Sequence, residues 1–82
     1  MTYRVHIRVV HRAGLLDPQG QAVEHALAVL GFEGAGDVRV GRAIELAIDA
    51  ASPEAAEAAA RKMCERLLAN PVTEDFSLAV EG

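Results

Sequence analysis

Leu16-Asp17-Pro18-Gln19-Gly20 marks the point where strand-like sequence gives way to helix. Asp17 is a strong N-cap, because its carboxylate can accept from the free amides of the first helical turn. Pro18 then falls at the first helical position, where its missing N–H costs nothing and its fixed φ already suits the helix. Gly20 has no such local reason. Inside a helix, Gly costs ~1 kcal/mol against Ala. A Gly there suggests that another backbone, or a ligand, comes close; a merely tolerated Gly is the alternative.

Upstream, residues 2–10 alternate: Tyr3, Val5, Ile7 and Val9 point one way, Arg4, His6 and Arg8 the other. That period of two predicts a half-buried strand. Downstream, Val23, Ala26, Leu27 and Leu30 recur at helical spacing, which predicts a helix from Asp17 to Leu30. Gly31 is then expected to end it in the left-handed region. Glu33–Asp37 is a flexible connector, followed by two strand-like runs, Val38–Gly41 and Ala43–Ala50. Ser52-Pro53-Glu54 repeats the cap, proline and acid of a helix start. That second helix is expected to reach about Ala69, with Ala56, Ala60, Met63 and Leu67 inward and Cys64 and Leu68 beside them. Asn70-Pro71 stops it, and Phe76, Leu78 and Val80 share one face of a last strand.

The order is β-α-β-β-α-β. Right-handed crossovers and one apolar sheet face then predict an α+β, ferredoxin-like fold: a four-stranded antiparallel sheet with both helices on one face. Residues 1–82 form one domain on this reading. The first and third strands become neighbours, with Arg4 and Arg8 facing Glu45 and Asp49 on the outer side. The middle hairpin has two possible registers. A two-residue turn at Gly41-Arg42 leaves Val38 and Val40 outside, and a three-residue turn keeps them inside, because one residue of slip flips the whole face.

Composition narrows the function. The only aromatic residues are Tyr3, Phe32 and Phe76 in a chain of 82 residues, so the core is aliphatic and thin. Chains of this size bury roughly 60% of their unfolded surface, and self-association is a natural source of further stability. The net charge is −4 with dispersed acids and bases, which argues against a nucleic-acid binder. No apolar run approaches the ~20 residues of a membrane span. A single cysteine rules out an internal disulfide and points to a reducing, cytoplasmic setting. Cys64 lies within a helix and reads as a small core residue rather than a nucleophile. His6, His11 and His25 lack metal-ligand spacing. The glycine-rich stretch from Gly31 to Gly36 precedes a strand and contains no Lys, so it is not a phosphate loop. No nucleophile, base and oxyanion donor come together, and no cofactor is expected in this chain.

Two stretches carry a family resemblance. Leu16-Asp17-Pro18-Gln19-Gly20 with Ala22-Val23, Leu27, Leu30-Gly31, Val38-Arg39-Val40-Gly41-Arg42 and Glu45 resembles the small PurS subunit of phosphoribosylformylglycinamidine synthase. So does Met63-Cys64-Glu65-Arg66-Leu67-Leu68-Ala69-Asn70-Pro71-Val72 with Glu74 and Phe76. The family more often has Lys at Arg42, Ile at Thr73 and Tyr at Phe76. The resemblance implies a role in purine biosynthesis, in which formylglycinamide ribonucleotide, glutamine and ATP yield the amidine. It places ATP and magnesium in the large subunit PurL and the ammonia-releasing cysteine in PurQ. The small subunit, a homodimer or homotetramer, would hold the two together without a catalytic residue of its own. Contact surfaces are expected at the first helix opening (Asp17, Gln19, Gly20), the hairpin tip (Arg39, Gly41, Arg42) and the helix exit (Leu68, Asn70, Pro71). The competing reading is a ferredoxin-like sensor that binds an amino acid at a dimer interface. Saturable amino-acid binding by the isolated chain would favour it.

Overall fold

The computed structural model describes residues 1–81. Its elements are β1 (Thr2–His11), α1 (Pro18–Val29), β2 (Gly41–Asp49), α2 (Pro53–Met63), a π-helical turn (Cys64–Leu68) and β3 (Glu74–Glu81). The strands form an antiparallel sheet in the order β2-β1-β3. The expected adjacency of the first strand and the strand before α2 holds. The inner face is built in rows: Val5 lies between Leu46 and Val80, and Ile7 between Ile44 and Leu78. Tyr3, Val5, Ile7 and Val9 are all buried, as the alternation of β1 requires.

Among the described residues the sheet has three strands, not the expected four. Val38–Val40 does not join it as a strand. The backbone N–H groups that a hairpin would spend on β2 go elsewhere: Val40 N–H donates to Asp17 Oδ2 at 2.9 Å, and Val38 N–H to Glu24 Oε1 at 3.4 Å. With no hairpin, neither expected turn register exists.

Helix ends follow the local code closely. Asp17 caps α1 with Pro18 behind it, and Ser52 Oγ caps α2 by accepting from Ala55 N–H. At the end of α1, Phe32 N–H donates to Leu27 O and Gly31 N–H to Ala28 O, with Gly31 at φ +97°. This is the paired closure of a helix that turns left-handed at Gly. The inner stripe of α2 is Ala56, Ala60 and Cys64, each 0% exposed. Met63 and Leu67, expected inside, are exposed. A stripe of small residues lets the helix backbone approach β1 and β3. The π-helical turn then rotates the last residues outward, with Ala69 N–H donating to Cys64 O at 3.0 Å.

α1 does not cover the sheet. It makes no extended contact with any strand or with α2. Together with the connector returning to Val40 it forms an arm, closed at its base by Asp17. The radius of gyration is 16.0 Å, against about 12 Å for a compact chain of this length. Among the described residues, no helix is long and apolar enough to cross a membrane.

Candidate functional site

Two clusters contain most of the residues singled out by the sequence. The first is the base of the arm. Asp17 accepts from Gly20 N–H through Oδ1 at 3.0 Å and from Val40 N–H through Oδ2 at 2.9 Å. Its side chain thus clasps the helix opening to the start of β2. Gly20 is explained here. A Cβ at this position would lie 2.2 Å from the carbonyl oxygen of Val38 and 2.7 Å from Asp17 Oδ2. The close backbone inferred from the sequence is the chain's own. Gln19 stays exposed at the helix opening.

The second cluster joins surfaces that the sequence placed apart. Arg42 makes a two-pronged ion pair with Glu74, Nη1 to Oε2 at 2.9 Å and Nη2 to Oε1 at 3.0 Å. Arg42 Nη2 also donates to the Leu68 carbonyl at 2.6 Å, closing the helix exit. Glu74 Oε1 accepts from Asn70 N–H at 2.7 Å, and Asn70 Oδ1 accepts from Val72 N–H at 2.9 Å. Arg12 Nη2 reaches the Pro71 carbonyl at 2.7 Å. A forked guanidinium serves a carboxylate and a carbonyl at once; an ammonium cannot reproduce that planar geometry. The departure from Lys at position 42 therefore has a structural use in this chain. Glu74 is the hub that sequence reasoning missed as a site residue. Its only signal was its place in the family pattern, because its partner lies 32 positions away.

Gly41 opens β2 opposite Val10, and a Cβ there would lie 2.1 Å from the Val9 carbonyl oxygen. It is a strand-packing glycine, not a hairpin tip. Arg39 lies beside the outer face of the sheet. With Arg8, His6, Arg42, Ala43 and Ser77 it lines an open groove of about 490 Å³. Among the described residues, neither Arg8 nor Arg39 has an ion-pair partner. Farther along this face, His6 Nδ1 meets Glu45 Oε1 at 3.1 Å and His6 Nε2 meets a Glu81 oxygen. Glu45 and Glu81 therefore pair around His6, while Asp49 meets the N-terminal amino group at 3.4 Å and Asp75 meets Arg12 at 3.3 Å; Arg4 lies 3.8 Å from Glu45.

Charge states follow from these contacts. Hydrogen bonds from Gly20 and Val40 hold the Asp17 carboxyl below its ordinary value. Glu74 is lowered by Arg42 and by the Asn70 N–H. His6 is raised by its hydrogen bond to Glu81, against some desolvation, and by the charges of Glu81 and Glu45. A depressed carboxyl stabilises fully above its unfolded pKa, ~4, and that support is lost as pH falls through the folded value. A raised His does the reverse: its support is complete below ~6.5 and is lost as pH rises through the folded value. Stability is therefore expected to be greatest at about pH 5–6.5 and to fall on both sides. Thermal melts from about pH 3 to about pH 9 check this, with Asp17→Asn weakening the acid limb and His6→Gln the alkaline one.

Burial raises the Cys64 thiol, and the side chain is 0% exposed, so it presents no thiolate to a substrate. Among the described residues, no three His, Cys, Asp or Glu side chains converge as metal ligands. The two clusters are backbone-binding and charge-paired. They fix surface shape rather than activate a nucleophile.

Comparison with known proteins gives one answer. The PurS family, described as phosphoribosylformylglycinamidine (FGAM) synthase, matches residues 4–82. The PurS subunit of Mycobacterium leprae is 44% identical over 96% of this chain and 96% of its own length. That of Bacillus subtilis is 40% identical over 96% of this chain and 93% of its own length. Among solved structures, B. subtilis PurS superposes with a TM-score of 0.86 at 41% identity, covering 98% of this chain and 99% of that one. A chain of the PurLQS structure from Thermotoga maritima superposes with a TM-score of 0.90 at 30% identity, covering 99% of both chains. Since sequence and fold agree over nearly the full length, the chain belongs to the PurS family of phosphoribosylformylglycinamidine synthase subunits.

Proposed function

We propose that this chain is the non-catalytic assembly subunit of a cytoplasmic phosphoribosylformylglycinamidine synthase. It would bring the glutaminase PurQ and the synthetase PurL together for ammonia transfer in purine biosynthesis. The observation that carries this reading is the near-complete superposition on one chain of a PurLQS structure. ATP and magnesium belong to PurL on this reading. Ammonia released in one subunit must reach a phosphorylated amide in another without being lost to water. Exact alignment then matters as water exclusion does in a closed site. The clusters at Asp17 and Glu74 suit that task, because they hold the arm and the helix exit in one shape. The chain would act as a homodimer or homotetramer of single-domain copies spanning residues 1–82.

Docking would use the side chains left free. Gln19 and Arg39 offer direct contact, and Arg39 with Arg8 suits acidic side chains of another subunit. Asp17, Gly20, Gly41, Arg42, Leu68, Asn70 and Pro71 shape the presented surfaces from within. Reconstitution tests the role. With PurL and PurQ present, omitting this chain is expected to abolish most glutamine-dependent amidine formation, while synthesis from added ammonia persists. Glutamine-dependent synthesis at full rate without it would refute the assembly role.

A further inference from the structure

The outer face of the sheet holds two arginines that the described residues do not neutralise. Arg8 stands on the middle strand, with Ala43 directly opposite on β2 and Ser77 on β3. Directly opposite positions are where unlike charges pair on a sheet, and here both are small and uncharged. The acids diagonal to Arg8 are taken: Glu45 meets His6, and Asp75 meets Arg12 Nε at 3.3 Å. Arg39 is the second. Both arginines border the groove of about 490 Å³, and both border a smaller one of about 220 Å³ that shares Val10 and Ser77 with it. Among the described residues, neither makes an ion pair.

The larger groove is one-signed. The whole chain carries −4, yet this groove is lined by Arg8, Arg39, Arg42 and His6 and by no Asp or Glu. Arg42 is committed to Glu74 and the Leu68 carbonyl, and His6 to Glu45 and Glu81. The charges of Arg8 and Arg39 are left over, and both sit on fixed backbone. Arg8 belongs to the central strand. Arg39 lies between Val38, whose N–H donates to Glu24 Oε1 at 3.4 Å, and Val40, whose N–H donates to Asp17 Oδ2 at 2.9 Å. The clasp at the base of the arm thus holds Arg39 from both sides. Donors fixed beforehand lose less freedom when a ligand arrives.

We infer that this groove binds the phosphate group of a small phosphate monoester, held by the Arg8 and Arg39 guanidiniums with the Ser77 hydroxyl beside them. Charge and donor count select that ligand. A phosphate monoester carries about −1.5 to −2 near neutral pH and offers three strong acceptor oxygens. Two guanidiniums and a hydroxyl match it. A single carboxylate brings one charge and two oxygens, and leaves one guanidinium over. The volume falls within the roughly 300–1,000 Å³ of small-molecule sites, which leaves room for the group esterified to the phosphate. No Phe, Tyr or Trp lines the groove, so recognition centres on the phosphate. The site is complete within this chain and does not depend on the assembly role proposed above. Acidic side chains of another subunit are the rival occupant.

Calorimetric titration of the full chain with ribose 5-phosphate, at about 50 mM salt to keep screening weak, tests this. Saturable binding with a Kd of ~0.1–1 mM is expected. Succinate, whose charge is split between two separate carboxylates, is expected to bind at least ~10-fold more weakly. Arg8→Gln and Arg39→Gln are each expected to raise the Kd at least ~10-fold. Arg8→Lys keeps the charge but loses the fork, and is expected to weaken binding as well. These side chains are exposed, and thermal melts verify that the variants fold. Arg66→Gln, which removes the same charge from the helical side of the sheet, is expected to leave the Kd unchanged. Asp17→Asn loosens Arg39, so it is expected to weaken binding in the wild type and to add nothing to Arg39→Gln. No saturation by ~10 mM would overturn the site, as would an equal loss in Arg66→Gln and Arg8→Gln, which would mark a general charge effect. Succinate binding as tightly as ribose 5-phosphate would overturn the phosphate assignment in favour of subunit carboxylates. An equal effect of Asp17→Asn in both backgrounds would overturn the positioning of Arg39 by the clasp.

Discussion

Gly20→Ala is expected to destabilise the protein by ~1–2 kcal/mol, although Ala is the better helix former. Helix propensity alone favours the change by ~1 kcal/mol. Against it, the new methyl would sit 2.2 Å from the Val38 carbonyl oxygen, a backbone atom that cannot rotate away. Forcing extra volume into a packed site typically costs ~1–3 kcal/mol. Relief requires the connector to move, and that pulls Val40 N–H from Asp17 Oδ2. Two readouts follow. The melting temperature falls by about 5–10 °C, and the Asp17 carboxyl returns toward its ordinary pKa as it loses a donor. A higher melting temperature with an unchanged Asp17 would show that Val38 does not crowd Gly20. The glycine would then be reserved for a neighbouring subunit.

Ile7→Ala is expected to cost ~2–5 kcal/mol. Ile7 is 2% exposed at the centre of the middle strand, between Ile44 and Leu78. Few residues can compensate, because among the described residues Ile7 is the largest of the most completely buried side chains. A chain of 82 residues has roughly 4–12 kcal/mol of total stability, so this substitution removes a large part of it. Urea titration should show a lower midpoint at an unchanged slope. Protein concentration should partly restore the midpoint, since association with a second copy favours the folded chain by mass action. A loss below ~1 kcal/mol would mean that α2 settles into the vacated space.

What could be read in the sequence divides by range. Asp17-Pro18, Gly31 and Ser52-Pro53 announce helix ends because caps act within four residues. The alternation of Tyr3, Val5, Ile7 and Val9 places β1 because a strand's faces have a fixed period. The Val38–Gly41 strand failed on a different scale. Its donors were claimed by Asp17 and Glu24, acids 23 and 14 positions away. Leu67 was misplaced because helical spacing assumes an unbroken α-helix, and the π-helical turn at Cys64–Leu68 breaks that spacing; Met63, still within α2, sits at the edge of the buried Ala56–Ala60–Cys64 stripe and is partly exposed.

The candidate site shows the same division. Residues of the second cluster were recognisable one by one, from a turn-like Gly-Arg and a helix stop at Asn-Pro. That they meet through Glu74 could not be read locally, since the chain must fold to bring Arg42, Leu68 and Asn70 around one carboxylate. By itself the sequence determined the helix starts, the buried face of β1 and the family, all matters of local pattern. Tertiary structure decided what Gly20 is for, that the sheet stops at three strands, and that α1 leaves the body. The reason is competition: a backbone donor or an apolar face takes the best partner in space, and distance along the chain does not reveal which partner that is.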